Sequence, residues 1–167
     1  MTQERIHIAV NHLPFLASGI AFIPIIVGIF LRSKATLITG LAIAAVFGWI
    51  TPFVMSTGEE AYERYEEGTV RTFLDANVEQ ALETHEEQAE TWSKAIYLSA
   101  IISTLALGIS VWRLSIGRYF SVAAAIACLA ALGSGMWIAE SGGKIRRPDF
   151  RLPAAEAASF DIKSDDD

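Results

Sequence analysis

The sequence predicts an all-α protein: a four-helix transmembrane bundle of two antiparallel hairpins, with helical extensions of spans 2 and 3 forming an extracytoplasmic knob. Three observations carry this expectation. Four apolar stretches are each long enough to cross a bilayer, which takes about 20 residues. The connections within each pair of stretches are short and basic. The long segment between the pairs is acidic, but its apolar residues recur at helical spacing. Composition agrees: of 167 residues, 52% are hydrophobic and 19% charged, with a mean hydropathy of +0.37. A soluble domain carries about 25% charged residues. The 13 Lys and Arg against 19 Asp and Glu, net −6, argue against a nucleic-acid partner. The single cysteine, Cys128, allows no internal disulfide and no cysteine-built zinc or iron–sulfur centre.

The first span is expected at about 8–31. It begins with Asn11, His12 and Pro14, and Pro24 lies inside it, where a kink is expected. A cleaved signal peptide is disfavoured, because Glu4 and Arg5 cancel in place of a basic leader and the stretch is too long for an h-region. Arg32-Ser33-Lys34 then turns the chain into the second span, about 35–55. Gly58 to Glu67 can extend that helix, with Gly68 as its stop. Residues 58–91 hold 11 acids and two bases, a net −9 that leaves +3 for the rest of the chain. Leu74, Val78, Ala81, Leu82, His85, Ala89 and Trp92 fall on one helical stripe there, so an amphipathic helix is expected from about Thr72 into the third span, about 95–114.

Ser115 to Arg118 is read as the second short linker and about 119–139 as the fourth span. Ser141-Gly142-Gly143 is read as a turn, and Lys144, Arg146, Arg147 and Arg151 as a basic strip that folds back under the acidic lobe. Residues 1–151 thus make one membrane domain, and 152–167 a loose tail. Arg32, Lys34, Arg113 and Arg118 flank the short connections without any acid. The positive-inside rule makes that side cytoplasmic, so both termini and the 58–91 lobe face the periplasm.

Two constellations at the outer end carry candidate chemistry. A histidine in a span is a functional hypothesis, because polar groups are costly there. His7 and His12 lie five residues apart, about 140° around a helix, and do not easily share a ligand. His12 and His85 are the remaining candidates for haem b, with a vertical gap of roughly 15 Å against them. A histidine bonded to a neighbouring helix or headgroup is the simpler reading. Glu59, Glu63, Glu86 and His85 are candidates for a divalent metal, although the Glu-x-x-His spacing of di-iron bundles is absent. A buried Glu–His hydrogen bond is favoured over metal here. The two hairpins share a faint likeness: Ser56-Thr57-Gly58 closes one and Glu140-Ser141-Gly142 the other. That alone is too little for a duplication. No nucleophile–base pair, phosphate loop or nucleotide motif is present.

Three motifs extend the reading. Val10-Asn11-His12-Leu13-Pro14, Ser56-Thr57-Gly58-Glu59-Glu60-Ala61 with His85-Glu86, and Gly142-Gly143-Lys144-Ile145-Arg146 occur in this order. The chain resembles a widespread family of uncharacterised four-span bacterial inner-membrane proteins carrying Asn-His-Leu/Phe-Pro, Thr-Gly-Glu, His-Glu and Gly-Gly-x-Ile-Arg. The resemblance singles out Asn11, His12, Glu59, His85, Glu86 and Arg146, and Arg147 stands where the family pattern has histidine. It implies no established activity. The expected function is therefore a non-enzymatic accessory or docking subunit of a larger membrane complex. Its expected partners are the bilayer and either a membrane protein or a second copy, with Asn11, Lys144, Arg146, Arg147 and Arg151 as interaction residues. No cofactor is favoured. The alternative is a redox or sensor protein holding haem b or a divalent metal on outer histidines and glutamates, and the third reading is a small transporter.

Overall fold

The computed structural model describes residues 2–68 and 78–151. Its helices are α1 (Gln3–Val10), α2 (Leu13–Phe30), α3 (Lys34–Gly48), α4 (Thr51–Glu66), α5 (Glu79–Trp112) and α6 (Leu114–Arg146), followed by a short 3-10 turn, Pro148–Arg151. No strand occurs among the described residues. With α1 running on into α2 and α3 into α4, these make four helices long and apolar enough to cross a membrane. The chain is a multi-pass, all-helical membrane protein.

Four helices form a ring: α2 packs on α3 and α6, and α5 packs on α6 and α3. The diagonal pairs, α2 with α5 and α3 with α6, barely touch. The core explains how they approach so closely. Ala21, Ile25, Leu37, Leu41, Ala44, Ala106, Ala124, Ala125 and Cys128 are buried together, and Ser18, Ser99, Ser103, Ser110 and Ser121 are buried beside them. Larger residues such as Ile20, Ile23, Phe30, Leu105 and Ile126 point outward. Small residues inside and large ones facing lipid are what a membrane bundle needs, since burial from lipid provides no hydrophobic drive and close backbone approach supplies the dispersion. Trp112, Tyr119 and Trp137 are exposed near the span ends, as interfacial aromatics are.

Proline chemistry sets the two interruptions. Pro14 and Pro52 each sit at the second position of a new helix, α2 and α4. Pro52 has no N–H for the Gly48 carbonyl four residues back. The Thr51 hydroxyl donates to that carbonyl instead, at 2.7 Å. The first two spans are therefore broken at Asn11–His12 and Trp49–Ile50, where the apolar stretches predict continuous helices. Pro24, by contrast, lies within an unbroken α2.

Two other boundaries differ from expectation. The linker expected at 115–118 is helical, because the reversal takes place at Arg113 alone, whose extended backbone ends α5 and starts α6. Lys34 at the start of α3 donates to the Val111 carbonyl at 3.0 Å, capping the end of α5. The turn expected at Ser141-Gly142-Gly143 is also helical, since α6 continues to Arg146. Ser141 donates to the Ile138 carbonyl at 2.8 Å, and Gly142 is enclosed by a neighbouring side chain. Gly68 ends α4 as expected, with a positive φ of 80° that favours glycine. The helix onset expected at about Thr72, and the tail at 152–167, lie outside the described residues.

Candidate functional site

The ends of α1, α4, α5 and α6 meet at one end of the bundle, the knob end. Helix α1 packs along α4, fixed by the Arg64–Glu4 ion pair at 2.7 Å. Two histidines sit within this end, and each is held in the same way.

His7 on α1 places Nδ1 3.2 Å from the Val54 carbonyl and 3.2 Å from Thr57 Oγ1. Thr57 already donates its hydroxyl proton to the Val54 carbonyl at 2.8 Å. Both oxygens facing Nδ1 therefore act as acceptors, and Nδ1 must carry the ring proton. The ring lies against Gly58, where a Cβ would stand 2.8 Å from His7 Cε1.

His85 on α5 repeats the arrangement against α6. Its Nδ1 lies 3.0 Å from Ser141 Oγ, and Ser141 donates its own proton to the Ile138 carbonyl. The ring again rests on the following glycine: a Cβ on Gly142 would come within 3.1 Å of His85 Cε1. Burial lowers the His85 pKa from 6.5 to about 4, helped by the charge of His7, while a bond to the Ile138 carbonyl opposes it. The buried polar partner that His85 needs is thus Ser141, in place of the expected glutamate.

The other sequence candidates fall differently. His12 is exposed, bonds its neighbour Asn11 and packs on Phe15 with ring centroids 5.5 Å apart. Its partner is the adjacent residue, not the neighbouring helix or headgroup of the simpler reading. Glu59, Glu63 and Glu86 are exposed. Among the described residues no three His, Cys, Asp or Glu side chains converge as a metal set, so Glu59, Glu63, Glu86 and His85 do not form one. The Glu86 carboxyl is nevertheless pushed up, first by burial and then by Glu90, Glu66, Glu59 and Glu83. The acids of α4 and α5 therefore share one electrostatic face. Of the basic strip, Lys144 pairs with Glu140 on its own helix at 3.0 Å. Arg147 stacks over Phe150 at 4.6 Å, and Arg151 donates to the Lys144 and Ile145 carbonyls. Arg146 is exposed at the last position of α6, and Asn11 is half-buried at the break after α1.

The sequence offers His7 only as a poor co-ligand of His12, and it gives Thr57, Ser141 and the Ile138 carbonyl no role. The signal for them was the Ser/Thr-Gly step that closes each hairpin, paired with a histidine earlier in the same hairpin. No family model, curated protein or solved structure matches the chain.

Proposed function

We propose that the protein is a non-catalytic accessory or docking subunit of a larger complex in a bacterial inner membrane, its knob facing the periplasm. One observation carries the reading. Glu59 and Glu66 on α4 and Glu83 and Glu90 on α5 act together on Glu86. Like charges gathered on two helices oppose folding, and they steer and orient a partner of opposite charge. The bundle supports this role: its interior is filled by small side chains, and its outward faces suit lipid or a neighbouring membrane helix. The basic short-loop end, with Arg32, Lys34, Arg113 and Arg118, favours the cytoplasm for the opposite side.

Purification from native membranes in mild detergent tests the proposal. A partner with a basic extramembrane surface is expected to co-purify at low salt and to dissociate as salt rises. The triple variant Glu59→Lys, Glu83→Lys, Glu86→Lys should keep its helix content and lose the partner. A lone monomer at low salt, or a partner indifferent to both salt and charge reversal, refutes the docking role.

A further inference from the structure

The two histidine cradles are related by more than chemistry. Each hairpin contributes one: histidine on its first helix, then a hydroxyl residue and a glycine on its second, Thr57-Gly58 for His7 and Ser141-Gly142 for His85. In both, the hydroxyl donates to the carbonyl three residues back and accepts from Nδ1–H. The ring of helices has matching symmetry. Exchanging the hairpins turns the α2–α3 contact into α5–α6 and the α2–α6 contact into α5–α3. This is the pattern of two parallel repeats about an axis along the membrane normal.

The two cradles also lie at the same end of the bundle. Phe15 lies against Gly135, where a Cβ would come within 2.2 Å of it. His7 lies eight residues before Phe15, on α1 beyond the break at Asn11–His12. Gly142, which carries the His85 ring, lies two turns beyond Gly135 on α6, toward the same end. The two imidazoles therefore belong to the same end of the bundle, and the charge of His7 acts on His85.

The hydrogen bonds decide what they offer. A neutral imidazole protonated at Nδ1 has a bare lone pair at Nε2. An Nδ1–H held by a carbonyl or similar acceptor is the outer-shell arrangement that orients metal-ligating histidines. Gln88, one turn from His85 on the same face of α5, adds a buried side-chain oxygen with no hydrogen-bond partner among the described residues. The knob end thus presents lone pairs to be met by a cation.

We propose that His7 and His85 are the paired ligands of a transition-metal site between the two hairpins, each coordinating through Nε2. Imidazole nitrogen suits copper, zinc and iron, and the same coordination serves a free ion or the iron of a haem. The cradles Thr57-Gly58 and Ser141-Gly142 are positioning elements that fix ring orientation and tautomer. The site differs from the set suggested by sequence: His7 replaces His12, and the glutamates stay outside. It is independent of the docking role.

The test uses the full chain purified in detergent and stripped with chelator. Cu(II) is added to one portion and ferric haem to another. Expected is one copper per chain, with an electron paramagnetic resonance spectrum split by two imidazole nitrogens, or one haem with a bis-imidazole visible spectrum. His7→Gln and His85→Gln should each weaken binding at least tenfold. Thr57→Val, which leaves both ligands in place, should weaken it about 10–100-fold. His12→Gln should leave it unchanged. The nitrogen count on the unsubstituted protein keeps the test valid even if a histidine variant folds poorly. Uptake of neither metal source overturns the proposal. So does copper without imidazole nitrogens, or binding that survives both histidine substitutions, as an ion held only by the acidic face would.

Discussion

Replacing Gly28 by alanine should loosen the first hairpin, while the same change at Gly108 should not. A Cβ built on Gly28 stands 2.6 Å from the Leu37 nitrogen and 2.7 Å from its Cα. Ordinary contact starts at 3.4 Å, so the shortfall is about 0.8 Å. Both obstructing atoms are backbone, and Leu37 is fully buried, so no side chain can swing away and α2 and α3 must separate. Overpacking of this kind costs roughly 1–3 kcal/mol. Gly108 and Gly133 have nothing within 4 Å of a built Cβ. Alanine there should gain up to about 1 kcal/mol of helix propensity and lose nothing. That gain is common to all three helical sites, so G28A should be less stable than G108A or G133A by roughly 1–3 kcal/mol. Unfolding in mixed detergent micelles, followed by circular dichroism, measures the difference. Equal stability of G28A and G108A would refute the claim that the α2–α3 approach depends on a missing side chain.

Three further outcomes are expected. In metal-free protein, the folded His85 pKa of about 4 against 6.5 means that the unfolded chain binds the proton first as pH falls. Stability from this group is complete above pH 6.5 and is lost between 6.5 and 4, by about 3 kcal/mol in all; His85→Gln should flatten that slope, and an unchanged slope contradicts the assignment. Thr51→Val keeps the shape but removes the donor to the Gly48 carbonyl, so it should cost roughly 1 kcal/mol in the same unfolding assay, whereas a neutral result would mean that the carbonyl finds another donor. Glu4→Gln breaks a partly exposed ion pair worth about 0–1 kcal/mol; amide exchange should quicken in α1 while α2 keeps its protection, and equal quickening in both would show that α1 is integral to the bundle.

The order of elements was open to inspection in the sequence because each carries its own local physics. The four spans follow from runs without charge, and the hairpins from connections too short to permit anything else. The stop at Gly68 follows from its freedom to take a positive φ. The stripe through Val78, Ala81, Leu82, His85, Ala89 and Trp92 signalled an amphipathic helix before the third span, and all of these but Trp92 are buried or half-buried. The glycines after Ser141 misled, because glycine marks a turn only when nothing packs on it. Here Gly142 is small so that His85 can lie against it. Pro14 looked tolerable near a helix start, yet it and Pro52 divide two spans into four helices. Pro24 looked more disruptive and divides nothing.

The sequence by itself determined that this chain crosses a membrane as two helical hairpins with its acids gathered beyond one end. Hydropathy, connection length and helical period are properties of neighbours along the chain. Only the tertiary structure decided the partners of the histidines. Thr57 is 50 residues from His7 and Ser141 is 56 from His85, and a hydrogen bond across such a separation depends on how four helices rotate and slide against one another. That register is set by close backbone contacts such as Gly28 on Leu37 and Gly48 on Ala100. It placed Ser141, and not a glutamate, beside His85, and it brought His7 close enough for its charge to act on His85.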